Sequence, residues 1–177
     1  MAYSVSLWLG EAAEAQVRAI WAQLAEAGVG TFAGGSVRPH VTLAHGLELD
    51  LDPFVAALGG RLSAYPPFDL IFSGLGLFAE PNVLYLSTRM SETLWTLHRE
   101  VYGLSVAHGA RPSLYYLPDT WTPHCTLALG LTPEEVLRAI TVCQEVSFPL
   151  RAAVSRLGIV ENPGEAERLA LPLAMLE

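Results

Sequence analysis

The sequence predicts an α+β protein with mostly antiparallel sheets, and three observations carry that reading. A nine-residue phrase is written twice, as Pro39-His40-Val41-Thr42-Leu43-Ala44-His45-Gly46-Leu47 and as Pro123-His124-Cys125-Thr126-Leu127-Ala128-Leu129-Gly130-Leu131, with seven of nine positions identical, a match that marks an internal repeat. Helical and strand periodicities are mixed along the chain, and several strands follow one another through turns instead of through helices, which favours antiparallel pairing. Half of the 177 residues are apolar and 16% are charged, enough to build one good core and too apolar for disorder.

The elements follow in order. Tyr3 to Leu9 alternates Val5, Leu7 and Leu9 with Ser4, Ser6 and Trp8, the period of a strand. From Glu11 to Ala27, Val17, Ile20, Trp21 and Leu24 recur at helical spacing, acidic residues crowd the start, and Gly28 offers a stop. Gly30, Gly34 and Gly35 form a loose approach to the first phrase. Asp52-Pro53 reads as an N-cap followed by proline in the first helical position, opening a helix to about Leu62.

Phe68 to Phe78 and Val83 to Thr88 read as two strands joined around Glu80-Pro81-Asn82. Ser91 caps a helix whose buried side is Leu94, Leu97, His98, Val101 and Tyr102, with Gly109 just past its end. A loop rich in Pro and Tyr, Arg111 to Trp121, leads to the second phrase. Thr132-Pro133-Glu134-Glu135 has the spacing of a capping box at the head of the next helix. Phe148 to Val160 and Arg168 to Met175 close the chain as two more strands. No linker divides it, so residues 1–177 are expected to form a single domain with two internal repeats.

Composition excludes several functions. A net charge of −8 argues against gripping long nucleic acid by its backbone, which takes clustered cations. All ten basic residues are arginine, so no lysine nucleophile, Schiff base, phosphate-loop lysine or lysyl adenylate exists. Two cysteines, Cys125 and Cys143, supply neither a disulfide framework nor a zinc-finger spacing. No apolar run reaches bilayer length, and Met1 to Gly10 has no basic region before its apolar stretch, so neither a membrane span nor a signal peptide is expected. These features point to a cytoplasmic protein.

On a strand, alternation puts His40 with Thr42, and His124 with Thr126, on one face, while Val41 and Leu43, or Cys125 and Leu127, face the core. Ala44 and Ala128 are expected to continue the polar face, leaving room for a ligand, and His45 is expected on the core side as a strand-end residue. Two imidazoles titrating near neutrality can act as base and acid in one turnover, and two threonine hydroxyls can donate to non-bridging oxygens as charge builds there. Those parts suit phosphodiester chemistry. Arg38 precedes His40 by two and falls on its face, where it can meet a phosphate; Thr122 stands at that position in the second copy. Tyr115 and Tyr116 are the candidates for stacking on a base. His98 and His108 have no ligand partner at helical spacing, and the two faces of each phrase separate His40 from His45 and His124 from Cys125. No metal site is expected.

The paired His-x-Thr-Leu phrases resemble those of the two-histidine (2H) phosphoesterases, in particular the bacterial and archaeal 2′-5′ RNA ligase and cyclic phosphodiesterase family. The resemblance extends through Gly74-Leu75-Gly76-Leu77-Phe78, Val83-Leu84-Tyr85-Leu86, the Leu94-x-x-Leu97-His98 helix and Arg156-Leu157. It implies a two-lobed, pseudo-twofold fold with an active-site groove between the lobes and flanking helices. It further implies His40 and His124 as acid and base, Thr42 and Thr126 on the phosphate, no cofactor, and opening of 2′,3′-cyclic phosphates or making and breaking of 2′-5′ linkages. The expected partner is a small nucleotide or an RNA terminus bearing a cyclic phosphate, bound to a monomer. Which histidine is acid and which base stays open, and a catalytically silent module that binds a nucleotide or cyclic phosphate is the alternative.

Overall fold

The computed structural model describes residues 2–30, 32–162 and 166–174. Eight strands and four helices run in the order β1 (Ala2–Trp8), α1 (Glu11–Glu26), β2 (His40–Leu47), α2 (Leu51–Leu62), β3 (Phe68–Ala79), β4 (Asn82–Thr88), α3 (Glu92–Ala107), β5 (His124–Leu129), α4 (Pro133–Cys143), β6 (Leu150–Val154), β7 (Arg156–Asn162) and β8 (Ala166–Pro172). A short 3₁₀ turn, Leu114–Tyr116, lies before β5.

Two four-stranded antiparallel sheets result, in the orders β2-β1-β7-β8 and β5-β4-β3-β6. Each begins at an edge with a strand carrying one copy of the repeated phrase, and these two edge strands lie against each other. Both ends of the chain form the first sheet, and its middle forms the second. Helices α2 and α3 pack on the first sheet while α1 and α4 pack on the second, so the helix after β1 serves the other half of the molecule. A single apolar cluster runs through both layers, from Leu7 and Val41 to Cys125 and Leu127.

Local chemistry accounts for most boundaries. In α1, Ala13, Val17, Ile20, Trp21 and Leu24 are buried, as their spacing predicts, and Gly28 takes φ 72° just past the end, a conformation that costs glycine little. Ser91 Oγ accepts from the Leu94 amide, and Thr132 with Glu135 closes a complete capping box.

Three boundaries differ from expectation. Helix α2 starts at Leu51 with Asp50 as its N-cap, so Pro53 sits in the third position of the first turn, where its missing N–H is equally harmless. The stretch Phe148 to Val160 is two strands, not one. Leu150, Ala152 and Val154 are buried in alternation, but Ser155 and Arg156 are exposed in succession, and at that break the chain passes from the second sheet to the first. The last strand starts two residues earlier than expected and ends at Pro172; Met175 lies outside the described residues.

Candidate active site

The two copies of the phrase make the same local structure. His40 Nδ1 donates to the carbonyl oxygen of Arg38 at 2.6 Å, and His124 Nδ1 donates to that of Thr122 at 2.7 Å. A carbonyl only accepts, so each neutral ring carries its proton on Nδ1 and presents Nε2 as an acceptor. Val41 and Leu43, like Cys125 and Leu127, are buried, while His40, Thr42, His124 and Thr126 are half-buried. Those four line one cavity of about 230 Å³ between the sheets. A second cavity, of about 370 Å³, meets the first at His124, Thr126 and Tyr116.

Just beyond the threonine, strict alternation fails at the same position in both copies. Ser6 pairs with Thr42 but Val5 pairs with Ala44, leaving Leu43 as an extra residue; Tyr85 pairs with Thr126 but Leu84 with Ala128, leaving Leu127 extra. A bulge of this kind reverses the facing of the residues beyond it. Ala44 and Ala128 are therefore fully buried instead of lining the groove. His45, expected on the core side, is exposed on the groove side and lines the first cavity. Gly46 and Gly130, at φ 74° and 66°, hold the same left-handed position after each bulge.

The bulges are fastened from across the molecule. Trp121 Nε1 donates to the Thr42 carbonyl at 3.0 Å, and Trp21 Nε1 to the Thr126 carbonyl at 3.2 Å. His98, wholly buried and stacked on Trp121, bonds the Leu43 carbonyl at 2.9 Å. Burial pushes the His98 pKa down to about 4 against a smaller upward pull from that bond. The buried Cys125 thiol is pushed up to about 12 by burial and also interacts with the His40 backbone, tying β5 to β2.

The surroundings of the two histidines differ. His124 stands between aromatic rings, 5.0 Å from Phe78 and 5.1 Å from Tyr85, which are themselves 4.3 Å apart by centroid. Burial holds its pKa below the ordinary imidazole value, and the nearby His40 lowers it further, against the bond to Thr122. A Cβ on Gly76 would run into the Tyr85 ring, so glycine is what lets that ring lie across β3. On the other side Arg38, which lines the first cavity, is 2.8 Å from Glu14 and has its guanidinium 4.6 Å from the centre of the Trp8 ring. Trp8 in turn lies over Gly158, where a Cβ would strike the indole.

The aromatic candidates fall on the second cavity. Tyr115 is 76% exposed and Tyr116 half-buried, and both line it with Phe78, Val83 and Leu129. Tyr116 also hydrogen-bonds the Thr42 side chain. Sequence reasoning missed Ser4, Ser6 and Asn162, which meet His45 in the first cavity; their signal lay in the strand pairing, which alternation alone does not contain. Among the described residues, no group of three or more His, Cys, Asp and Glu side chains is placed to hold a metal ion, and no helix is long and apolar enough to cross a membrane.

Two pseudo-symmetric antiparallel sheets, each giving a His-x-Thr edge strand to a common groove, define a class of fold shared with phosphoesterases and RNA-ligase-type enzymes. The chain belongs to the 2′-5′ RNA ligase superfamily, whose family model matches residues 7–166. Among solved structures, it is similar to Escherichia coli LigT in its apo form (17% identity, 98% of each chain covered, TM-score 0.66). It is equally similar in fold to TT0787 of Thermus thermophilus (19%, 98% of each chain, TM-score 0.66). Usb1 of Kluyveromyces marxianus is more distant, at 12% identity, 97% of this chain and 98% of that one, with a TM-score of 0.52. LigT has also been solved in complex with 3′-AMP, ATP and NADP+. No curated protein sequence matches this chain closely enough to count as a relative.

Proposed function

We propose that this protein is a metal-independent phosphodiesterase that opens 2′,3′-cyclic phosphates, or cleaves and forms 2′-5′ linkages, with His40 and His124 as its acid-base pair. The observation that carries this is the identical anchoring of both rings by the carbonyl two residues back, which aims two Nε2 atoms at one groove. In hydrolysis, a neutral Nε2 removes the proton of the attacking water while the other, protonated, ring gives its proton to the leaving ribose oxygen as the phosphorus–oxygen bond breaks. Burial disfavours the His124 imidazolium, so His124 is the base in that direction and His40 the acid.

Thr42 and Thr126 donate to the non-bridging oxygens, with Ser6 at 3.2 Å and Tyr116 orienting Thr42. Arg38, clamped by Glu14 and Trp8, adds a partly neutralised guanidinium on the His40 side. The second cavity suits a nucleobase against Tyr115 and Tyr116, in keeping with the nucleotides bound by LigT. The ligand is a small nucleotide or an RNA end, bound by a cytoplasmic monomer. The test is turnover of 2′,3′-cyclic AMP with chelator present, following the phosphate monoester by phosphorus NMR. Turnover that drops on the order of 10² or more in His40→Ala and in His124→Ala supports the proposal; wild-type rates in the double variant, or tight binding without turnover, defeat it.

A further inference from the structure

The pseudo-twofold correspondence of strand order, β2-β1-β7 with β5-β4-β3, pairs residues of unlike chemistry. Opposite Thr42 across its ladder is Ser6; opposite Thr126 is Tyr85. Five residues after His40 comes His45; five after His124 comes Leu129. His45 sits beside Ser4, whereas Leu129 sits beside its ladder partner Val83. One end of the groove therefore carries hydroxyls, an imidazole and a carboxamide, and the other carries rings and aliphatic groups.

Hydrogen bonding at the polar end joins three side chains. Asn162 Nδ2 donates to Ser4 Oγ at 2.6 Å, which leaves the Ser4 hydroxyl proton and one lone pair to face His45 Nδ1 at 2.8 Å. Where the hydroxyl donates and Nδ1 accepts, the neutral His45 ring carries its hydrogen on Nε2. Desolvation lowers the pKa of this ring, which keeps it neutral at pH 7. Asn162, in the wall of the same cavity, adds a carboxamide whose oxygen is an acceptor. A neutral donor beside a neutral acceptor matches a hydroxyl group, which is both at once. It matches a second phosphate poorly, since an anion has nothing to donate to the carboxamide oxygen.

We infer that the Ser4–His45–Asn162 end of the groove is a subsite for the hydroxyls of a sugar joined to the phosphate, with His45 as its specificity-determining donor. The groove is thereby directional: the sugar hydroxyls lie on the His45 side of the phosphorus and an apolar ring lies on the Leu129 side. This rests on the phosphate-centred reading above and names the part of the substrate that distinguishes the two ends.

The test uses two phosphate monoesters, ribose 5-phosphate and tetrahydrofurfuryl phosphate, which keeps the ring and lacks its hydroxyls. Binding is followed through the imidazole resonances of His40 and His124. The expected result is tighter binding of ribose 5-phosphate by about tenfold, the order expected of one or two added hydrogen bonds. The ratio should fall to near one in His45→Leu, which copies the other end of the groove, with the hydroxyl-free ester bound as before, and His45→Gln, which keeps a donor, should restore most of it. Nitrogen NMR should find the Nε2–H tautomer at His45 in the wild type and lose its fixed form in Ser4→Ala. An unchanged ratio in His45→Leu, or an Nδ1–H tautomer, overturns the inference alone. If neither ester perturbs His40 or His124, and 2′,3′-cyclic AMP is not turned over, the phosphate site fails and the sugar subsite with it.

Discussion

Trp121 Nε1 donates to the carbonyl oxygen of Thr42 at 3.0 Å, across 79 residues of sequence. The same service is done for the second copy by Trp21, 105 residues from Thr126. Each indole satisfies a carbonyl at the bulge, where a groove-facing threonine is followed by two core-facing residues, so the two bonds hold the repeats to the body of the protein at the point where regular pairing lapses. Removing the donor and keeping the ring isolates that bond. Trp121→Phe is expected to lose about 1 to 3 kcal/mol of stability in denaturant titration, because a buried carbonyl is left without a partner. The same change at Trp21 should cost a similar amount.

The two-histidine mechanism predicts a specific pH profile. His124, the proposed base, has its pKa held below 6.5 by burial and by His40, so it stays neutral to lower pH than an ordinary imidazole. The acid limb of kcat/KM for a cyclic phosphate is expected below pH 6.5. Phe78→Ala exposes the ring and should move that limb upward. A limb that does not respond to Phe78 would assign it to the other histidine.

Stability has its own pH dependence through His98. Its pKa falls from about 6.5 in the unfolded chain to about 4 in the fold. The unfolded state therefore binds the proton first. The stabilisation is complete above pH 6.5 and is lost as pH falls toward 4, by roughly 3 kcal/mol. Thermal unfolding between about pH 7 and 4 should steepen accordingly, and His98→Gln should flatten it in that window.

Gly76 and Gly158 are expected to tolerate no side chain. A Cβ at either would strike the ring laid across it, Tyr85 or Trp8. Gly76→Ala should cost about 1 to 3 kcal/mol by overpacking and, by shifting Tyr85 away from His124, raise the pH of the acid limb. Gly158→Ala should disturb Trp8 and the Arg38 guanidinium stacked on it without moving that limb. Equal effects of the two on the pH profile would contradict this division.

Much of the site was legible because it was written twice. His40, Thr42, His124 and Thr126 stand at equal spacing within a recurring phrase, and period-two alternation before the bulge puts them on the groove face that they occupy. Alternation failed after Leu43 and Leu127, where a bulge arises in the pairing with β1 and β4 and the tryptophans bond the neighbouring carbonyls. That is why Ala44 was expected in the groove and His45 in the core. It failed again at Ser155, where a run that reads as one strand divides between two sheets.

By itself, the sequence determined the element order as far as α4, the helix caps at Ser91 and Thr132, the apolar faces, and a pair of equivalent His-x-Thr strands. These are local properties, set by side-chain period and by hydrogen bonds a few residues long. Only the tertiary structure decided that the two edge strands face each other, that Arg38 is held by Glu14 and Trp8, and that Ser4 and Asn162 reach His45. Those contacts join residues far apart in the chain, and their geometry comes from strand register and sheet packing, which no short window contains. The same register makes the two ends of a repeated groove unlike.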